Sequence, residues 1–225
     1  MSPGFLNSPI IEGVTILLLG AGTTVILSCF VIVLGIIVAI PLCLMRLSKR
    51  RWLRSSAGAY VSFFRGVPLL VQLLVIYYFL PVLGLDLPPF VAAVIGLGLC
   101  TGAYQAENLR GGFLIIPLGQ EEAGRAFGYT GAQIHRYILI PQALRAAFPA
   151  LMNEAILILK ASSLVSVVGV ADLTRASQNI VARDLHPLGW YAAAALIYLV
   201  INLGLAMFGR AAERRLGAGF ATVSP

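Results

Sequence analysis

Glu107, Glu154 and Lys160 are ionisable residues lying within otherwise apolar stretches of the sequence. A charge in such surroundings is expensive and faces protein or water rather than lipid, so these residues are the first candidates for chemistry. Glu107 and Arg110 are three apart and can pair on one helix face, as a structural pair or as part of a gate. Asn153 and Glu154 lie about two helical turns into a later apolar stretch. Glu154 there has two readings: it meets a cationic group of a solute, or it is a buried acid satisfied by a neighbouring helix. Lys160 is about 240° around the helix from Glu154 at 100° per residue, which argues against an intrahelical pair. Gln72 and Gln178 are uncharged polar candidates for the same path.

Covalent chemistry finds no support in these residues. No Gly-x-Ser-x-Gly, no His-Glu-x-x-His and no Gly-x-x-x-x-Gly-Lys-Ser/Thr segment occurs. His135 and His186 are expected on opposite sides of a membrane. Cys29, Cys43 and Cys100 share no metal-ligand spacing and read as small buried hydrophobes. No catalytic residue, metal or cofactor is therefore expected in this chain, and any use of ATP with Mg would need a nucleotide site on another chain. A membrane enzyme and a channel acting alone are the rivals of a different class. An enzyme would act without ATP or a partner, and a channel would pass solute downhill.

The elements that must position these residues follow from composition. Of 225 residues, 59% are hydrophobic and 11% charged, far below the roughly 25% charged of soluble domains. This excludes a disordered tail and an ordinary soluble enzyme and leaves an all-α, polytopic membrane protein. The net charge of +7 reads as arginine and lysine held on the cytoplasmic side; little water-facing surface remains for a nucleic-acid partner. No basic residue precedes Arg46, so a signal peptide is not expected. Residues 13–45 are too long a charge-free run for one span of ~20 residues. The Gly20-Ala21-Gly22-Thr23-Thr24 cluster predicts a break, with an interfacial segment before it and span one at about 23–44. Further spans are predicted at about 66–83, 90–109, 146–168 and 188–208. Basic loops at 46–54 and 117–145 and a basic tail with Arg210, Arg214 and Arg215 place the N-terminus outside and the C-terminus in the cytoplasm. The whole chain, 1–225, reads as one domain.

Residues 117–141 are the most informative polar segment. Pro117 and Gly119 end the preceding span, and Glu121 and Glu122 fall in the first turn of a new helix, where the dipole favours acids. Ala123, Gly124 and Ala126 are small and permit close packing, and Gly128 suits a turn with positive φ. A second short helix over 131–138 is predicted to stop before Pro141. The bland alternative is a generic amphipathic loop between two spans.

This segment resembles the EAA loop of ABC importer permeases, Glu-Ala-Ala, three residues, Gly, nine residues, Ile-x-Leu-Pro. Glu122, Ala123, Gly128, Ile138 and Pro141 match in spacing, while Gly124 replaces the second alanine and Ile140 the leucine. Arg65-Gly66-Val67-Pro68 with Gln72 is similar to the Arg-Gly-Thr-Pro-x-x-x-Gln signature of polar amino-acid permeases, with Val67 in place of threonine. Ala103-Tyr104-Gln105-Ala106-Glu107 with Arg110 resembles their Ala-Tyr-x-Ala-Glu-x-x-Arg. Lys160-Ala161-Ser162-Ser163-Leu164 resembles Lys-Asp-Thr-Ser-Leu, without its acid. The resemblance implies a type I ABC importer transmembrane domain with five spans, in a bacterial cytoplasmic (inner) membrane. It implies two ATPase subunits, a second permease (the same chain or a homologue), an external solute-binding protein and an amino-acid substrate, or else an opine or compatible solute. Carried over, Glu122, Ala123, Gly124, Phe127, Gly128 and Ile134 are the ATPase contact.

Overall fold

In the computed structural model, which describes residues 9–217, every regular element is helical. The helices are α1 (Pro9–Leu47), α2 (Arg51–Gly66), α3 (Leu69–Val82), α4 (Pro89–Leu114) and α5 (Gly119–Ala126). After them come a short α6 (Gly131–Gln133) running into a π-helical turn (Ile134–Leu139), then α7 (Ile140–Ala161), a 3-10 turn (Ser162–Val168), α8 (Leu173–Asp184) and α9 (Pro187–Gly217). Four of the continuous helical stretches are long and apolar enough to cross a membrane, and the pair α2–α3, bent by 104°, makes a fifth. The expected single-domain limits, 1–225, extend at both ends beyond the described residues.

The predicted break at residues 20–24 is absent, because α1 runs unbroken through it. Thr23 Oγ1 donates to the Leu19 carbonyl at 3.3 Å and Thr24 Oγ1 to that of Gly20 at 3.1 Å. The hydroxyls thus bond within the helix and leave no polar group to the lipid. Gly20 is a notch for α8: a Cβ there would stand 2.9 Å from both the Ala176 Cβ and the Asp172 carbonyl. Leu173 N–H donates to Thr24 Oγ1 at 3.1 Å across the same contact.

Span two starts differently from the expectation. Residues 51–66 form a helix of their own, and the chain turns at Gly66-Val67-Pro68, with Val67 and Pro68 extended. Proline pushes the residue before it out of helical geometry. Gln72 mends the break: its Nε2 donates to the carbonyls of Phe64 (2.8 Å) and Val67 (2.7 Å). Span four runs to Val168 as expected, with its last turns, Ser162–Val168, wound as a 3-10 helix that closes at Gly169 with φ +88°. The stretch expected as a mixed-charge connector contains α8. Asp172, fully buried, caps that helix by accepting from Thr174 N–H (3.1 Å) and Arg175 N–H (2.9 Å).

The core sits where α1, α3, α4, α7 and the 3-10 turn meet, around Leu27, Val31, Leu73, Leu97, Ile158 and Val165. Gly102 lets α1 and α4 approach, since a Cβ there would lie 2.6 Å from Val38 Cγ1; small residues at helix crossings are how membrane bundles pack. Ile26, Phe30, Leu199 and Val200 are exposed on the outside, an apolar surface suited to lipid.

Candidate functional site: a hairpin and a polar junction

The hairpin lies between α4 and α7, at the end of the bundle that also carries the basic 46–54 loop. Glu121 and Glu122 occupy the first turn of α5. Arg125, one turn on, pairs with Glu121 at 2.6 Å and holds its carboxyl below the usual carboxylate range, helped by the charges of His135 and Lys49. The helix ends through Phe127 N–H to the Ala123 carbonyl (3.0 Å) and Gly128 N–H to that of Arg125 (2.9 Å). Gly128 has φ +81°, the left-handed conformation foreseen for it. Thr130 then starts the second arm with a capping box: its Oγ1 accepts from Gln133 N–H at 3.4 Å and its own N–H donates to Gln133 Oε1 at 2.8 Å.

The second arm does not stop before Pro141. The π-helical turn carries it into α7, with Ile140 N–H donating to the His135 carbonyl five residues back. In an ordinary α-turn the proline ring would press on the carbonyl four residues earlier; the wider turn makes room for it.

The six residues expected at the ATPase contact divide into two faces. Glu122, Ala123, Phe127 and Gly128 are exposed, Phe127 to 84%. Gly124 is buried and Ile134 is 1% exposed. A Cβ on Gly124 would meet Ile134 Cγ1 at 2.9 Å and Ile138 Cδ1 at 3.0 Å. These two residues therefore lock the arms together, and the outer four present the surface. Neither the capping box nor the π-turn was part of the sequence reading, although Thr130 followed three residues later by Gln133 is a capping signature.

The second constellation lies deeper. Glu154 on α7 is buried. Arg65 lies in the last turn of α2. Arg65 stacks its guanidinium over the Tyr104 ring at 5.2 Å, and Cys100 Sγ donates to the Phe64 carbonyl at 3.5 Å. In the sequence Arg65 is named only within the Arg-Gly-Thr-Pro-like signature and not as a site candidate.

The other candidates are placed as follows. Gln72 uses its amide nitrogen on the broken helix, and its Oε1 is buried without a partner among the described residues. Asn153 and Lys160 are exposed, and Gln178 is half-buried on α8. No ion pair joins Lys160 to Glu154 among the described residues. Glu107 pairs with Arg110 at 2.6 Å as expected, and also with Arg46 at 3.0 Å, which ties the end of α1 to α4. No group of three or more metal-ligating side chains occurs among the described residues.

Comparison with known proteins identifies the family. Residues 5–218 match the family described as binding-protein-dependent transport system inner membrane component. The chain is 40% identical over 209 residues to the L-cystine transport system permease protein TcyB of Bacillus subtilis, covering 92% of this chain and 87% of that protein. It is 40% identical over 195 residues to the octopine transport system permease protein OccM of Rhizobium meliloti, covering 83% and 80%. A crystal structure of an amino acid ABC transporter with histidines superposes with a TM-score of 0.86 at 36% identity, over 96% of this chain and 100% of that one. With the family matched across almost its whole length, the chain belongs to the inner membrane components of binding-protein-dependent transport systems.

Proposed function

We propose that this chain is the membrane-spanning permease subunit of an ATP-driven importer that moves an amino acid by alternating access. The observation that carries this is the hairpin of residues 119–139. It exposes Phe127 beside Glu122 and Ala123, and Gly124 and Ile134 set its shape from within. An exposed aromatic on a rigid, water-facing turn is an interface anchor. The chain is not itself an enzyme; ATP hydrolysis, with its Mg, belongs to separate ATPase subunits. Two of these seat on the hairpins of two permease chains, the second being a copy of this one or a homologue, and an external binding protein delivers the solute. Closure of the ATPase pair pulls on the hairpins, and the rigid run from the π-turn into α7 passes that motion to Glu154, which, with Asn153, Gln72 and Gln178, lines the substrate path.

Orientation follows from charge. Arg46, Lys49, Arg50, Arg51 and Arg54 stand at the hairpin's end of the bundle, and Arg214 and Arg215 lie in the last turn of α9. A basic excess marks the cytoplasmic side, so the hairpin and the end of α9 face the cytoplasm and the start of α1 faces outward.

The test is reconstitution with the ATPase and binding protein in proteoliposomes, with accumulation of labelled amino acids measured with and without ATP. ATP-dependent accumulation of at least one amino acid is expected. The 40% identity to an octopine permease favours a second reading, an opine or similar polar solute, so octopine belongs in the panel. Uptake of octopine alone would replace the amino-acid reading, and downhill flux without the ATPase would overturn the importer.

A further inference from the structure

We propose that the last turn of α1 and the first half of α2 form a site for one anionic phospholipid, whose phosphate is held by Arg46, Arg51 and Arg54. The basic residues between 46 and 54 satisfy the charge bias of a cytoplasmic loop by their number, and that bias requires none of them to converge. Three of them do. Arg46 on α1 and Arg51 and Arg54 on α2 line one cavity of ≈ 590 Å³ together with Ser55, Gly58 and Ser62, within the ~300–1,000 Å³ of small-molecule sites. Among the described residues no carboxylate stands on its wall. Like charges gathered around one space without an acid repel one another until an anion enters.

Arg46 Nε donates to Glu107 Oε1 at 3.0 Å, and Glu107 also pairs with Arg110 at 2.6 Å. One carboxylate is thus shared by two guanidinium groups, and a positive charge is left over. Arg46 Nη1 lies 2.9 Å from where a Cβ on Gly58 would stand, so the glycine lets the guanidinium rest against α2. Arg51 and Arg54 take part in none of the ion pairs among the described residues. Guanidinium forks, with the hydroxyls of Ser55 and Ser62 beside them, supply donors matched to phosphate oxygens. The neighbouring face of α2 decides which phosphate enters. Trp52 and Phe63 are eleven residues apart, which puts them within about 20° of each other and about 100° around the helix from Arg51. Both are exposed, at 65% and 59%. A soluble anion has no use for such a lane. An acyl chain laid along it leaves water while its headgroup reaches the arginines, and a basic pocket beside an interfacial tryptophan suits an anionic lipid. The assignment holds whichever solute the chain carries.

The experiment uses the full-length permease with its ATPase, purified in a neutral detergent. The variants are Arg51→Gln with Arg54→Gln, Arg51→Lys with Arg54→Lys, and Trp52→Ala. The probes are dioctanoyl phosphatidylglycerol, dioctanoyl phosphatidylcholine and inorganic phosphate, each titrated for direct binding. The wild type should bind phosphatidylglycerol saturably, about tenfold or more tighter than either other probe, since choline cancels the headgroup charge and phosphate lacks the acyl chains. A basic residue near an anionic lipid is worth about fivefold, so the glutamine pair should weaken phosphatidylglycerol by about 25-fold and the lysine pair by less than about fivefold. Trp52→Ala should weaken the lipid and leave phosphate unchanged. Equal affinity for phosphate and phosphatidylglycerol would make this a site for a soluble anion and overturn the lipid assignment. Unchanged lipid binding in the glutamine pair, or no saturable binding to the wild type, overturns it as well. Loss of the ATPase from the glutamine pair with lipid binding intact would mark the arginines as a protein contact, with the same consequence. If the glutamine pair does not fold, Arg54→Gln alone is read in its place: about fivefold weaker lipid binding supports the site, and no change overturns it.

Discussion

Gly124 and Gly128 sit four residues apart in the hairpin and are glycines for different reasons. Gly128 needs its backbone conformation, φ +81°, and has open space around it; Gly124 needs the space, with Ile134 and Ile138 already occupying the place of a side chain. The two substitutions should therefore fail differently. Gly128→Val meets only the left-handed penalty of about 1–2 kcal/mol, so it should lower hairpin stability modestly and turn Phe127 away from its partner. Gly124→Val overpacks a closed interface at about 1–3 kcal/mol, and pairing it with Ile134→Ala should recover most of the loss. Co-purification of the ATPase with each variant, together with thermal unfolding, separates the two; equal, unrecovered losses would remove the packing explanation. Phe127→Ala should leave unfolding unchanged and weaken ATPase retention by about 2 kcal/mol, as loss of an exposed aromatic anchor does. Undiminished retention would mean that the anchor lies elsewhere on the loop.

One of the five crossings is bent, and Gln72 closes its turn between α2 and α3; Asp172 in the same way caps the start of α8. Asp172→Ala should cost about 1–2 kcal/mol, the worth of a helix cap, whereas Asp172→Asn, still a capping side chain, should cost less. Thermal unfolding in detergent reads the difference, and equal shifts would show that the charge matters and the cap does not. The hairpin was legible in the sequence because its signals are local: acids in a first turn, a lone glycine, a matched spacing. The continuity of α1 was not, since hydropathy cannot register that the hydroxyls of Thr23 and Thr24 bond back to their own helix. Nor was the passage through Pro141, where the rule that proline ends a helix yielded to a wider turn. The Glu107–Arg110 pair was legible at three-residue spacing, but its third member, Arg46, lies 61 residues from Glu107 and nothing local announces it.

At the scale of the whole molecule the basic residues predict a fixed orientation. A single cysteine introduced at Gln133, exposed at the hairpin's end, should resist a membrane-impermeant thiol reagent in intact cells and react once the cells are opened. Labelling from outside would invert the assignment of every loop. The helix α1 packs against α2, α4, α7, α8 and α9, so most of the fold is assembled against the first element to be made. The hydrogen bond from Leu173 to Thr24 spans 149 residues. At a synthesis rate of about 5–20 residues per second, roughly 7–30 s pass between the emergence of Thr24 and that of its partner. Through that interval the notch at Gly20 stands unfilled in the bilayer, and a nascent chain halted before α8 leaves it so. The contact between α1 and α8 is thus a checkpoint of biogenesis: it closes only on a chain translated past Leu173, and a side chain that fills the notch at Gly20 blocks it.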